Sequence, residues 1–217
     1  MNYKNSLDEN ERAMLKKCRV AVVGCGGLGG YIAEMLIRLG VGTIVAVDGD
    51  CFDETNLNRQ LLCTRETLGT GKAEAVQARA AAINADVRVI AVSEYIDADN
   101  ALRILDGCDL VIDALDSIDA RKTVHDACSE LNIHMVYGAI GPWSVQYGIV
   151  PPSCGLFDKL GTPSEFHGET IPSFIPALCA SYQVCEAVKL LTGNGSELMG
   201  KLCSIDMLCN EQTVIEI

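Results

Sequence analysis

Gly24-Cys25-Gly26-Gly27-Leu28-Gly29 follows directly on the apolar run RVAVV and opens an apolar helical pattern. Glycines at this spacing permit a tight turn and let a phosphate approach the backbone. A helix that starts there offers it unpaired N–H groups. Asp48 closes the next apolar run, 19 residues after Gly29, where a carboxylate can grip a ribose hydroxyl. The other reading of these glycines is a tight turn with no ligand. The strand–turn–helix setting favours an adenine nucleotide, and the pattern alone would suit a nicotinamide cofactor as well.

The segment after Asp48 changes the chemistry. GDCFDETNLNRQ places Asp50, Asn56, Asn58, Arg59 and Gln60 between a strand and a helix, and Lys72 opens that helix. A dinucleotide's two phosphates are already served by the glycine turn. A further Arg and Lys suit a triphosphate, whose departing pyrophosphate needs cationic support. A solvated polar loop is the plainer alternative. Farther on, DLVIDALDS puts Asp113 and Asp116 at the end of an apolar run. Open α/β sheets bind ligands at that edge. Asp116 is the candidate Mg2+ carboxylate, as an isolated acid among phosphates would be. It is also a candidate cap for the helix that follows, and both roles are compatible. Asp113 lies nearer the strand body and is read as shaping the turn.

The elements that must hold these residues are legible as alternating short apolar runs and amphipathic stretches. Strands are expected at 19–23, 43–47, 87–92, 109–113 and 134–139, and helices at 29–39, 71–84, 98–105 and 118–131. That rhythm predicts a Rossmann-like, doubly wound, mostly parallel sheet. After Gly141 the rhythm breaks. Residues 144–150 alternate like a strand returning beside the sheet, 151–174 read as a long irregular loop, 176–192 as a helix, and 202–207 and 213–217 as a closing hairpin. Antiparallel strands are therefore added at the C-terminal end. With 217 residues and no linker or repeat, one domain over 1–217 is expected, with a nucleotide-binding core at 19–140 and a substrate loop, late helix and closing strands at 141–217.

Composition narrows the class. The formal net charge of −12 disfavours nucleic acid as the main partner, because phosphate backbones attract basic faces. Nothing in the sequence reads as a membrane span or a leader segment, so a cytoplasmic location is expected. Eleven cysteines sit inside apolar patterns with no C-x-x-C spacing, which favours buried thiols in a reducing compartment over a disulfide scaffold or a four-cysteine zinc site. His125, His134 and His167 share no ligand spacing and are read as structural or surface residues.

In order, GCGGLG, VDGD, TNLNRQ, GK and DALD resemble the ThiF–MoeB–HesA family, bacterial relatives of ubiquitin-activating enzymes, over roughly residues 1 to 192. The resemblance implies ATP-dependent adenylation of the C-terminal Gly-Gly carboxylate of a ubiquitin-like sulfur carrier of the ThiS or MoaD type, with release of pyrophosphate. It implies that Gly24, Gly26, Gly27, Gly29, Asp48, Asp50, Asn56 and Gln60 bind or order the nucleotide. Arg59 and Lys72 would meet the phosphates, and Asp116 would serve Mg2+ and the α-phosphate. A homodimer is implied, with Lys4 standing where the family presents an arginine to the partner's site; lysine cannot form the same bidentate contact. Paired zinc-binding cysteines are missing, so no structural zinc is expected. Where some members carry a reactive cysteine this chain has Phe166, and neither Cys154 nor Cys179 falls at that place. Three other functions stay open on the sequence: a small-molecule carboxylic acid or a modified tRNA base as substrate, an NAD-binding oxidoreductase, and a nucleotide-binding scaffold without turnover.

Overall fold

The structure is a computed structural model that describes residues 6–152, 154–159 and 171–217. Its elements run α1 (Glu9–Leu15), β1 (Arg19–Val23), α2 (Gly27–Leu39), β2 (Thr43–Val47), a 3-10 turn (Glu54–Asn56), α3 (Lys72–Ile83), β3 (Arg88–Val92) and α4 (Ala101–Leu105). They continue with β4 (Leu110–Asp113), α5 (Ile118–Leu131), β5 (Met135–Ile140), β6 (Ser144–Val150), α6 (Leu156–Lys159), α7 (Phe174–Leu191), β7 (Lys201–Asp206) and β8 (Glu211–Glu216).

One sheet joins all eight strands in the order β3-β2-β1-β4-β5-β6-β7-β8. The first five strands pair in parallel and the last three antiparallel. The expected fold class and its antiparallel extension are both present. Between β3 and β4 the chain crosses from one edge of the parallel half to the other side of β1. That reversal opens a crevice above the ends of β1 and β4.

The central strands are apolar on both faces because helices cover both. Val20, Val22, Ile44, Ala46, Leu110 and Ile112 face one buried cluster, shared with α2, α3 and α7. Their sequence neighbours Ala21, Val23, Val45, Val47 and Val111 face the other, shared with α4 and α5. This is the two-residue alternation of a pleated strand. Helix α2 stops at Gly40, whose φ of 80° takes the left-handed cap. Helix α7 has the length and apolarity of a membrane span, and it packs against α2, β5 and β6. It starts at Phe174, so Pro176 sits in the first turn, where a missing N–H costs nothing.

Two elements differ from expectation. The polar start, read only as charged sequence, contains α1. A reciprocal capping box between Asp8 and Glu11 holds it. The loop at 151–174 contains the short helix α6. Lys4, Phe166 and His167 lie outside the described residues.

Helices α2 and α3 are tied by Glu34. Its carboxylate accepts from Arg79 Nε at 2.7 Å, Arg79 Nη2 at 2.9 Å and Arg38 Nε at 2.8 Å. The arginines hold the Glu34 carboxyl below its usual value of 4.5. A depressed acid stabilises the fold above its unfolded pKa and loses that contribution as pH falls through the folded one. Glu34→Gln should therefore cost at most about 1 kcal/mol near neutral pH, because both arginines are largely exposed. The cost should shrink towards zero below about pH 4. Urea melts of both proteins across pH check this; a cost that persists undiminished in acid would refute it.

Candidate functional site

The crevice above β1 and β4 is a cleft of about 820 Å3, within the usual range for small-molecule sites. The glycine turn forms its floor. Gly24 has φ +91°, and a Cβ there would lie 2.6 Å from the Ala114 carbonyl oxygen. A Cβ on Gly29 would lie 1.8 Å from the Gly24 carbonyl oxygen. These two glycines let α2 start against β1 and β4. The N-cap Gly26 supplies no side chain to the first helical N–H groups, so these remain available to an anion. Gly26 and Gly27 line the cleft.

Asp48, at the end of β2, accepts from the Cys25 N–H at 2.7 Å and from the Asp50 N–H at 2.8 Å. It therefore fastens the glycine turn to its own strand besides facing the cleft. Burial raises its carboxyl, against the pull of those two N–H groups. Asp50 is exposed. Its carboxylate receives the Tyr95 hydroxyl and lies 2.9 Å from Lys72 Nζ. The Tyr95 hydroxyl, then Lys72, hold the Asp50 carboxyl low. Lys72 is buried at the first position of α3, where a cation opposes the helix dipole. That placement has a stability cost, which a functional role would explain.

The 3-10 turn shapes the NLNRQ segment. Asn56 is buried and its side-chain oxygen accepts from the Asp53 N–H at 3.3 Å. Gln60 is buried against Gly26, and its side-chain oxygen has no hydrogen-bond partner among the described residues. Arg59 reaches the cleft while its Nη1 donates to the Thr55 carbonyl at 2.9 Å and the Asn58 side chain at 2.8 Å.

Asp116 is exposed and lines the opposite wall. It is not the cap of α5: Ser117 takes that position and accepts from the Ala120 N–H at 3.4 Å. Asp113 does shape the turn, accepting from the Leu115 N–H at 3.0 Å while fully buried. Burial raises its carboxyl. Arg59, Lys72, Asp48, Asp50, Gln60 and Asp116 thus share one cleft with the glycine turn.

The cleft continues past Asp116 along Tyr137, Ile140, Pro142 and Gln146 to Ile171. Tyr95 and Arg121 are further lining residues that sequence reasoning did not single out. Arg121 had a signal: it shares the buried stripe of α5 with Val124, His125 and Cys128 at helical spacing, a charge where an apolar residue belongs. Tyr95 had none.

The remaining candidates fall elsewhere. Cys154 and His125 line a separate hollow beside Phe157. His125 is buried with its Nε2 3.4 Å from the Pro151 carbonyl. Cys179 is fully buried with its thiol pushed up to about 12 by burial, which argues against a reactive thiolate. No group of three or more His, Cys, Asp or Glu side chains among the described residues is arranged to hold a metal. The donor set suits Mg2+ all the same, since that ion keeps several waters and binds through one or two carboxylates plus phosphate oxygens. Asp116 is such a carboxylate.

A doubly wound sheet with a glycine turn, the cations Arg59, Lys72 and Arg121 and the carboxylates Asp48, Asp50 and Asp116 around its switch-point cleft defines the class as an α/β nucleotide-site protein. The chain belongs to the ThiF family, whose profile matches residues 2–217. It is 33% identical over 201 residues to the SAMP-activating enzyme E1 of Haloferax volcanii, covering 89% of this chain and 74% of that protein. It is 36% identical over 212 residues to a sulfur carrier protein adenylyltransferase of Thermus thermophilus, covering 89% and 76%. The sulfur carrier protein ThiS adenylyltransferase of Bacillus subtilis is 33% identical over 211 residues, with 93% of this chain and 62% of that protein covered. The fold also matches solved structures. PaaA superposes with a TM-score of 0.82 at 23% identity, covering 96% of this chain and 66% of that one. E. coli MccB + ATP superposes with a TM-score of 0.80 at 19% identity, covering 95% and 66%.

Proposed function

We propose that this protein is a cytoplasmic, ATP-dependent adenylyltransferase that activates the C-terminal Gly-Gly carboxylate of a ubiquitin-like sulfur carrier. One observation carries the reading: a single cleft holds the glycine turn, Arg59, Lys72 and Asp116, and is also lined by residues of β5 and β6. The names of the relatives from Haloferax, Thermus and Bacillus support the same substrate class.

In this mechanism ATP lies with its ribose on Asp48 and its phosphates over the N-terminus of α2. The tail carboxylate attacks the α-phosphorus in line. A new bond forms between carboxylate oxygen and phosphorus, and the bond to the bridging oxygen breaks. Pyrophosphate leaves with the electron pair. A carboxylate is already ionised at neutral pH, so the reaction needs no general base. Arg59 and Lys72 offset the charge gathering on the leaving pyrophosphate. Asn56 and Gln60 hold the Arg59 segment in place. Bound Mg2+ would add charge neutralisation between the phosphates, with Asp116 as its protein ligand. Positioning of two bound reactants supplies much of the remaining acceleration. The elements act as one adenylation domain, with 19–140 as nucleotide core and 141–217 as substrate side. The proposal includes a homodimer, with Lys4, which lies outside the described residues, as the candidate cation contributed in trans.

ATP–pyrophosphate exchange tests the reading, with each small Gly-Gly-tailed protein from the same genome added in turn. Exchange should appear with one carrier and vanish when its last glycine is removed. Arg59→Ala and Asp116→Ala should each lower it by about 100-fold or more. Tight ATP binding without exchange for any carrier would reject the sulfur-carrier substrate and leave a small-molecule acid, a tRNA base or an inactive scaffold.

A further inference from the structure

Arg121 is a buried cation one turn into α5, near the positive end of that helix dipole. Burial and dipole both disfavour a charge there. Its ionic partner is the fully buried Asp113, with Nε 3.6 Å from Oδ2. That oxygen has no hydrogen-bond partner among the described residues. A buried pair of this geometry is weak evidence for stability, since apolar residues of like volume often serve as well or better. A different requirement must account for the pair.

Both residues hydrogen-bond one residue. Asp113 accepts from the Leu115 N–H at 3.0 Å. Arg121 Nε donates to the Leu115 carbonyl at 3.1 Å, and Nη2 donates to the same oxygen. The guanidinium lies 4.9 Å over the Tyr137 ring, which fixes its plane. The residues just before Leu115 are pinned as well. The Ala114 N–H donates to the Val23 carbonyl at 2.9 Å, and Gln183 Nε2 donates to the Asp113 carbonyl at 2.7 Å. Ser117, just after Asp116, caps α5. Asp116 therefore extends into the cleft from a backbone held on both sides.

We infer that Arg121 is a positioning residue for Asp116: by holding the Leu115 carbonyl it aims the Asp116 carboxylate at the metal-bearing phosphates. The inference rests on the proposed role of Asp116. A planar guanidinium can place two N–H groups on one oxygen from a fixed direction; a lysine ammonium keeps the charge without that geometry.

Arg121→Lys separates aim from charge. ATP affinity is measured by calorimetry with and without Mg2+, on wild type, Arg121→Lys and Asp116→Ala, alongside exchange with the carrier. Arg121→Lys should bind metal-free ATP within about twofold of wild type. The gain in ATP affinity on adding Mg2+ should fall by about tenfold, and exchange kcat should fall at least as far. Intact metal-free binding also shows that the variant is folded. Equal losses with and without Mg2+ would overturn the inference in favour of general support of the fold. So would a full Mg2+ gain in Arg121→Lys when Asp116→Ala has lost it. If Asp116→Ala itself keeps the gain, the role of Asp116 fails, and the inference falls with it.

Discussion

Lys72→Ala is expected to lower ATP–pyrophosphate exchange by about 100- to 1,000-fold, the usual effect of deleting one charge-stabilising donor. The loss should appear mainly in kcat, because charge accumulates on the departing pyrophosphate more than on bound ATP. Fold stability should change little. The salt bridge that Lys72 makes is with Asp50, whose side chain is 47% exposed and is covered by water once the lysine is gone. Asp50 also keeps the Tyr95 hydroxyl. Asp50→Asn is the companion variant. It releases Lys72 from its carboxylate without removing the cation, so exchange should fall far less. Steady-state exchange and thermal melts of both variants decide the matter. Lys72→Ala within threefold of wild type would remove the lysine from the mechanism.

Gly29→Ala should be the most damaging single methyl group that can be added to the glycine turn. The new carbon would sit 1.8 Å from the Gly24 carbonyl oxygen, a backbone atom with no rotamer to move. Helix α2 would have to shift away from β1 and carry its N-terminal N–H groups off the cleft floor. A destabilisation of about 3 kcal/mol or more is expected, or roughly 6–12 °C in melting temperature for a chain of this size. ATP binding should fall with it. Gly27→Ala is the control, since the nearest atom to its added carbon is Pro176 Cβ at 3.8 Å, an ordinary contact. Alanine is the better helix former there by up to about 1 kcal/mol. Comparable melting temperatures for the two variants would contradict the steric account.

How much of this was legible in the sequence depended on how local its cause was. The parallel strands declared themselves because two-sided burial demands unbroken apolar runs, and β1 and β2 span 19–23 and 43–47 as expected. The helix at 118–131 has the expected bounds, although its cap is Ser117 and not Asp116. Helix α1 was hidden because its signal is a capping box in charged sequence, with little apolar periodicity. That one cleft would gather the glycine turn, Asp48 and Asp116 followed from their positions at strand ends, and the presence of Arg59 and Lys72 from cations between a strand and a helix. Tyr95 and Gln183 were not, because their partners Asp50 and Asp113 lie 45 and 70 residues away. Gly138 is a related case. A Cβ there would lie 2.2 Å from the Gln183 side chain, so a glycine in a strand marks the passage of a buried amide from α7.

The antiparallel extension has a consequence for self-association. Among the described residues strand β8 has no neighbour on its outer edge, and all of its residues are exposed. An open edge invites a second copy to continue the sheet. Glutamates stand at both of its ends, Glu211 and Glu216. If two β8 strands met antiparallel in full register, each Glu211 would face a Glu216; if they met in parallel register, each glutamate would face its own counterpart. Either pairing sets like charges against each other at both ends, which disfavours it. The charges at its ends thus work against pairing of this edge with the same edge of a second copy.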